Sequence, residues 1–274
     1  MRYFWWAVGL LIAVSIVFLS WFSLKQVSPV EDVHVLRSGP KPKLALVLDD
    51  FGYSNKNFDV LKSIDVPLTL AVLPGVRYSN EACSVVVHSN MEVILHLPME
   101  PMRENAPIEK DTILVDMDDA AIKSILEKSL NSVPGVRGVS NHMGSKATGD
   151  ARVMKVVFGE LKRRDMFFLD SMTTPDSVCE AIALEMDVPY VKRDIFIDNV
   201  QKKDAIIKQI GKAVKIARAK GEAVAIGHDR KVTAEVLKLI VPYIQKRGIQ
   251  LVVLSELVEK EIEGEQHPAG ENKI

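Results

Sequence analysis

The amino-acid sequence predicts an α/β fold in which parallel strands and crossover helices form a distorted (β/α) barrel of about seven or eight units, preceded by one N-terminal transmembrane helix. Two observations predict the barrel. Short apolar segments without polar alternation recur along the chain, which is typical of strands buried on both faces of a parallel sheet. A segment with helical spacing follows each of them. A doubly wound open sheet is the alternative that this pattern leaves open.

The predicted transmembrane helix lies within residues 1–24. Residues 3–22 carry no charged side chain, and as a helix they would span about 30 Å, the thickness of the hydrocarbon core of a bilayer. Tryptophans lie near both ends, where aromatic rings favour the membrane interface. No small-residue cleavage site follows, so we expect an uncleaved signal anchor, with a cleaved signal peptide or a buried soluble helix as alternatives. The expected location is therefore the inner (cytoplasmic) membrane, crossed once, with the folded domain in the periplasm or outside the cell.

Residues 43–261 are predicted to form one domain in which strands and helices alternate. Strands are predicted at 44–48, 68–73, 92–97, 136–140, 166–169, 188–192, 222–226 and 249–254. Helices are predicted at 54–64, 78–89, 118–131, 150–164, 175–186, 201–219 and 232–246. Polar residues 25–42 predict a linker, and polar residues 262–274 predict a disordered tail.

The charge balance and the cysteine content exclude several classes of protein. Lys and Arg number 35 against 36 Asp and Glu, which argues against nucleic acid as a partner because such binding needs a basic excess. Cys83 and Cys179 are too few for a disulfide framework or a cysteine-based zinc site, and whether they pair is left open. Residues 201–220 hold seven Lys or Arg against one Asp. We interpret them as a solvated helix face, with contact to an anionic polymer or lipid as the alternative.

Side chains that can bind a metal or transfer a proton follow six of the predicted strands. They are Asp49 and Asp50, His96, Asn141 and His142, Asp170, Arg193 and Asp194, and His228. Because the carboxyl ends of parallel strands lie on one face of a barrel, we expect these groups to converge at one mouth. Each could singly be a helix cap or a structural residue, but six such strand ends together indicate a functional site.

Asp50, His96 and His142 predict a metal site. Two imidazoles and one carboxylate suit Zn²⁺ and leave a position open for water. Asp49 could accept a proton from that water, and His228 could protonate the leaving group. The sequence contains none of the G-x-S-x-G, P-loop or G-x-G-x-x-G motifs of other enzyme classes.

At these residues the chain resembles the divergent polysaccharide deacetylase family, a branch of the polysaccharide deacetylase (carbohydrate esterase) superfamily. The resemblance covers about residues 43–258 and is carried by six blocks: LVLDDFG (46–52), LHLPMEP (95–101), SNHMGS (140–145), FLDSMTT (168–174), RDIFIDN (193–199) and AIGHDR (225–230). It implies the barrel of glycoside hydrolases and deacetylases and a hydrolase of carbon–nitrogen (non-peptide) or ester bonds. Such an enzyme removes N- or O-acetyl groups from sugars with the help of a metal ion.

The second motif of the superfamily is where this sequence departs from the pattern. The resemblance implies that Asp49 is the base, Asp50 a metal ligand and His96 the first histidine of the second motif. Glu100 stands where the second histidine is expected. Either Glu100 replaces that ligand or His142 supplies the second imidazole; we favour His142 and keep Glu100 as a fourth or supporting group.

The remaining motifs imply roles for further residues. Asn141 occupies the block that usually carries an arginine beside the base, and Arg193 is expected to substitute for it. Asp170 matches the aspartate of the fourth motif, which orients its neighbours, and His228 matches the general acid of the fifth. Substrate binding or support of the ligands is expected of three more residues: Ser145, Ser171 and Asp194, the last as a partner of His228 or Arg193.

Three functions follow from these expectations. The first is a membrane-anchored, zinc-dependent hydrolase that acts on an acylated envelope or extracellular polysaccharide or oligosaccharide. The second is a non-catalytic glycan-binding or interaction protein on a deacetylase fold, which the altered second motif favours. The third is a metal-dependent hydrolase of another bond, such as a phosphoester, and it is weaker because the chain lacks the spacing of two-metal sites.

Overall fold

The computed structural model describes residues 39–87 and 89–258. The predicted transmembrane helix, most of the predicted linker and the predicted tail lie outside the described residues. Within the described ranges, no helix combines the length and apolar character that a membrane crossing needs.

Nine strands and seven complete α-helices form the domain within the described residues, and residues 255–258 are also helical. The strands are β1 (Lys43–Phe51), β2 (Leu68–Val72), β3 (Met91–Met99), β4 (Gly138–Met143), β5 (Phe167–Asp170), β6 (Tyr190–Lys192), β7 (Ile195–Phe196), β8 (Glu222–His228) and β9 (Gln250–Val252). The helices are α1 (Phe58–Lys62), α2 (Ser79–Val85), α3 (Asp119–Ser132), α4 (Ala151–Arg163), α5 (Cys179–Met186), α6 (Lys203–Lys220) and α7 (Lys231–Lys246). A 3₁₀ turn at Ala147–Gly149 precedes α4.

The strands form one parallel sheet in the order β6-β5-β4-β3-β2-β1-β8-β7. The two end strands, β6 and β7, are consecutive in the chain and are separated by Arg193 and Asp194 alone, so the sheet curls back toward itself. Among the described strands, no ladder joins β6 to β7. The predicted parallel sheet with crossover helices is confirmed, but the predicted barrel is a curled half-barrel, because its two end strands do not pair with each other.

Strand β9 pairs with the first residues of β1, which β2 does not reach. Strand β8 pairs with β1 from Lys43 to Asp49, and the opposite edge of β1 pairs first with β9 and then with β2. The chain after β9 then crosses the amino ends of β2 and β3, where the Leu254 amide donates to Thr69 Oγ1 and the Ser255 amide donates to Glu92 Oε1. This end of the half-barrel is therefore covered, and the carboxyl ends of the strands are left for a site.

Alternate residues of each strand contribute to two apolar layers. Leu44, Leu46 and Leu48 of β1 pack toward the helices, whereas Ala45 and Val47 point into the half-barrel. The interior cluster consists of Ala45, Val47, Ala71, Ile94, Phe167, Leu169, Val224, Ile226, Val252, Leu254, Leu257 and Val258. Burial on both faces explains why the strands are apolar along their whole length.

Most predicted helices are confirmed, and two begin later than predicted. Asp118 and Asp150 accept hydrogen bonds from the third amide after each, as N-caps of α3 and α4. Helix α1 begins at Phe58 instead of residue 54, after Asn57, whose side chain donates to Asp229. Helix α5 begins at Cys179 instead of residue 175, because the preceding loop is held by Asp170.

Candidate metal centre

Three of the predicted ligands meet at the carboxyl ends of β1, β3 and β4. Asp50 Oδ1 lies 3.4 Å from His96 Nε2 and 3.1 Å from His142 Nδ1. One ligand atom from each residue lies within 4.8 Å of the other two. The predicted group of Asp50, His96 and His142 is thus brought together by strands that are distant in sequence.

A bulge at the end of β1 directs two adjacent carboxylates to the same place. In a regular strand Asp49 and Asp50 would point to opposite faces. Here the register with β2 advances three residues on β1, from Leu48 to Phe51, against two on β2. Asp50 adopts φ +67°, a conformation that costs a non-glycine residue free energy and is often found at functional sites. As a result, Asp49 Oδ2 also lies near His96 Nε2, at 3.7 Å.

His96 is oriented by Ser140 on the neighbouring strand. The distance between His96 Nδ1 and Ser140 Oγ is 2.8 Å, and donation from Nδ1 leaves the lone pair of Nε2 free for a metal ion. Burial lowers the pKa of His96 to about 4, so the ring is neutral at pH 7. Burial also acts on Asp50, but its contacts with His142 and His96 outweigh it and hold the pKa of this carboxyl well below its usual range.

Asp49 lies beside the three predicted ligands, but its carboxyl differs from that of Asp50 in its hydrogen bonding and its pKa. It is buried, and among the described residues its Oδ1 has no hydrogen-bond partner. Burial raises the pKa of Asp49 well above its usual value, and the charges of Asp50 and Asp198 raise it further, whereas Arg193 lowers it. A carboxyl with raised proton affinity and a free oxygen atom is suited to accept a proton.

Arg193 reaches the site from the chain between β6 and β7. Its Nε donates to Ser171 O at 2.7 Å and its Nη2 to Met172 O at 3.0 Å. Its guanidinium carbon lies 3.9 Å from the centroid of the Phe196 ring. These contacts hold a positive charge near Asp49, whose pKa it lowers.

Asp170 holds the loop that anchors Arg193. Its Oδ1 accepts from the Met172 amide at 2.7 Å, and its Oδ2 accepts from Ser177 Oγ at 2.5 Å and Tyr190 OH at 3.3 Å. Asp170 has no exposed surface. Its contacts are therefore those of a positioning residue, which agrees with the orienting role that the resemblance implies.

His228 is paired with Asp198, a residue that the sequence analysis missed. His228 Nδ1 lies 2.7 Å from Asp198 Oδ1, and Asp198 Oδ2 accepts from Thr233 Oγ1 at 2.7 Å. The sequence predicts that Asp194 partners either His228 or Arg193. It does not hold His228, because it accepts from Lys220 Nζ and from the Val224 amide, whereas its charge does act on Arg193. Asp198 follows the two-residue strand β7, which is too short to give a sequence pattern, although it lies inside the RDIFIDN block.

Comparison with known proteins identifies the family. The sequence profile of the divergent polysaccharide deacetylases matches residues 46–258. The chain belongs to this family. It is 36% identical over 216 residues to an uncharacterized protein of Escherichia coli, YibQ, a match that spans 79% of this chain and 67% of the relative.

Solved structures show the same fold. An uncharacterized protein from Agrobacterium tumefaciens superposes with a TM-score of 0.76 at 21% identity, over 81% of this chain and 91% of the other. A deacetylase solved with its substrate superposes with a TM-score of 0.51 at 12% identity, over 80% of this chain and 92% of the other. The curled parallel sheet is thus shared with a deacetylase of known structure.

Glu100, which stands where the second motif of the superfamily has a histidine, is engaged by other residues. Its Oε1 lies 2.5 Å from Lys146 Nζ, and its Oε2 accepts from the Val115 amide at 2.6 Å. Burial opposes these contacts, but the hydrogen bond from Lys146 keeps the pKa of Glu100 below its usual value. Both oxygens are engaged away from the ligand cluster, which contains His142 instead.

Three other residues near the site form hydrogen bonds between loops: Asn141, Ser145 and Ser171. Asn141 Oδ1 accepts from the Ser171 amide at 2.8 Å, and Ser171 Oγ donates to Asn141 O. Ser145 Oγ accepts from the Met102 amide. These contacts support the loops around the ligands.

The residues present fit a divalent metal ion. A carboxylate with two imidazoles is a common ligand set for such ions and leaves coordination positions free for water and substrate. His96 Nε2 belongs to this group, and the neighbouring Asp49 has one buried oxygen, Oδ1, without a hydrogen-bond partner among the described residues. Buried polar atoms of this kind are normally satisfied by a partner or by water.

Proposed function

We propose that this member of the divergent polysaccharide deacetylase family is a metal-dependent hydrolase that removes N- or O-linked acyl groups from a polysaccharide or oligosaccharide. The observation that carries the proposal is the cluster of Asp50, His96 and His142, with the unpartnered carboxyl oxygen of Asp49 beside it. The family's fold and name supply the carbohydrate as the substrate class.

The chain's own residues divide the proton transfers between them. When bound, a divalent ion, for which we propose zinc, would supply the Lewis acidity that polarises the acyl carbonyl and acidifies water. Asp49 would accept the proton of the attacking water, and the positive charge of Arg193 would help to keep this carboxyl ionised before the transfer. His228 would then protonate the departing amine or hydroxyl, with its Nδ1 held by Asp198 so that Nε2 transfers the proton.

Metal content tests the ligand assignment. The purified chain should bind about one equivalent of Zn²⁺, and His96→Ala, Asp50→Ala and His142→Ala should each abolish that binding. Glu100→Gln is the matched control and should retain the metal, because Glu100 is engaged by Lys146 and Val115. Loss of zinc in the control with retention in His142→Ala would reverse the assignment.

Acetate release tests the reaction. The zinc-loaded chain should release acetate from an acetylated chito- or peptidoglycan oligosaccharide, and Asp49→Asn should lower the rate by a factor of about a hundred or more while keeping the metal. Glycan binding without turnover in the zinc-loaded wild type would instead support the non-catalytic function.

We further propose that the chain acts in the cell envelope, held at the inner membrane by its apolar N-terminal residues. The support is the uncharged segment at residues 3–22 of the sequence. Added protease should digest the folded domain in spheroplasts while a cytoplasmic marker stays intact. Protection of the domain until the cells are lysed would contradict the proposed location.

A further inference from the structure

Helices α6 and α7 carry a concentration of positive charge that the candidate metal centre does not use. Together they hold nine Lys or Arg against two acidic residues, in a chain whose net charge is −1. Such an asymmetry in a nearly neutral protein is typical of a surface that meets an anionic partner.

A row of lysines on α6 faces solvent. Lys208, Lys212 and Lys215 are spaced by four and three residues, so they lie on one face of the helix, and all three are exposed. Within the described ranges, none of the three forms an ion pair. Gly211 lies between Lys208 and Lys212 in the sequence, and a Cβ added to it would have no neighbour within 4 Å. The charge of this row is therefore available to a partner.

Helix α7, beside the helix with the lysine row, carries two large apolar side chains that are exposed. Leu239 is 56% exposed and Tyr243 is 58% exposed, and they lie one turn apart. Glu235 lies one turn before Leu239 on the same face of α7. Its Oε2 lies 2.9 Å from Lys203 Nζ at the start of α6.

A second contact, at the other end of the two helices, fixes their direction. Arg218 Nη2 donates to Arg247 O at 3.0 Å. Together with the contact at Lys203, it shows that α6 and α7 run side by side in the same direction, so Leu239 and Tyr243 are exposed on the helix that neighbours the one with the lysine row. We call the five residues Lys208, Lys212, Lys215, Leu239 and Tyr243 the α6–α7 face.

We propose that the α6–α7 face binds the surface of an anionic lipid bilayer. Lysines near such a surface are attracted to its headgroups, and a tyrosine and a leucine can enter the boundary between headgroups and acyl chains. A soluble anionic polymer would use the lysines but gives no reason for two large apolar side chains beside them. The inference does not depend on the proposed hydrolase activity.

A fluorescent label on α6 tests the proposal in the full-length chain. Gly211→Cys provides the attachment point, since its Cβ has no neighbour within 4 Å, and the native Cys83 and Cys179 are buried. The labelled chain is reconstituted into vesicles of phosphatidylcholine alone or with phosphatidylglycerol. The emission should shift to shorter wavelength only with phosphatidylglycerol, and high salt should reduce the shift.

Two double substitutions examine the charged and apolar parts separately. Lys208→Glu with Lys212→Glu should raise the phosphatidylglycerol fraction needed for a half-maximal shift by about threefold or more. The matched control, Lys110→Glu with Lys123→Glu, makes the same change in net charge on another surface and should leave that fraction unchanged. Leu239→Ser with Tyr243→Ser should also weaken the shift, because it removes the apolar contacts.

Three results would overturn the proposal. The first is equal emission in neutral and anionic vesicles. The second is an equally weakened emission shift in the control variant with Lys110→Glu and Lys123→Glu. The third is a shift that soluble polyglutamate reproduces and that the substitutions at Leu239 and Tyr243 leave intact, which would assign the face to an anionic polymer.

Discussion

At the scale of single residues, buried carboxylates define what the site can do. Asp198 has no exposed surface and accepts from the side chain and the amide of His228 and from Thr233. Burial alone would raise its pKa, but these hydrogen bonds outweigh burial and lower it. A buried charge that is fully hydrogen-bonded is stable, and it fixes the orientation of its histidine.

Replacement of Asp198 should change both activity and the pH dependence of stability. Because the folded-state pKa of Asp198 is lowered, its contribution to stability is present above the unfolded value of about 4 and is lost as pH falls through the folded value. In urea unfolding between neutral pH and pH 3, Asp198→Asn should therefore lose less stability than the wild type. Parallel curves for the two proteins would contradict this account.

The same substitution should slow hydrolysis by about a hundredfold, since it weakens the general acid. Asp194→Asn serves as the control, because Asp194 is bound to Lys220 and to the Val224 amide and does not hold His228. An equal loss of activity in both variants would argue against the special role of Asp198.

At the scale of elements, the end of β1 is the most constrained segment. Gly52 follows the bulge with φ +116°, and a Cβ there would lie 2.6 Å from Val76 Cγ2. The turn is therefore compatible with glycine only, and it fixes the backbone that carries Asp49 and Asp50.

Two glycine-to-alanine substitutions should have opposite effects. Gly52→Ala should destabilise the fold by about 2 kcal/mol or more, through backbone strain and the contact with Val76, and should weaken metal binding. Gly211→Ala should stabilise α6 by up to about 1 kcal/mol, since the helix interior favours alanine and nothing lies within 4 Å of the new Cβ. Thermal unfolding of both variants measures the contrast, and a neutral or stabilising Gly52→Ala would refute the strain argument.

At the scale of the whole molecule, the chain after β9 completes the interior of the half-barrel. Leu254 is fully buried in the interior cluster, and its amide is bound to Thr69 of β2. The two ends of the described domain are thereby joined, because β9 and β1 are also paired.

Truncation of Leu254 should therefore be costly. Leu254→Ala should lower the free energy of unfolding by about 2–5 kcal/mol, whereas the exposed Leu239→Ala should change it by about 0.5 kcal/mol or less. Urea denaturation of the two variants provides the comparison. Similar small losses in both would show that the segment after β9 is not part of the cooperative fold.

The sequence by itself determined the alternation of strands and helices in a parallel sheet, and it indicated which side chains would meet at one edge of that sheet. Both follow from local rules: continuous apolar strands indicate burial on both faces, and parallel strands bring their carboxyl ends to one edge. Asp50 and His96 could therefore be predicted as ligands without coordinates, with His142 favoured over Glu100 as the third.

Only the tertiary structure showed that His142 and not Glu100 lies beside Asp50 and His96, that Asp198 pairs with His228, and that no ladder closes the curled sheet among the described strands. Each of these depends on contacts between segments that no local pattern relates, such as Lys146 with Glu100. The bulge that turns Asp49 and Asp50 to the same side arises from the register between β1 and β2. Register is a property of paired strands, and a single sequence does not contain it.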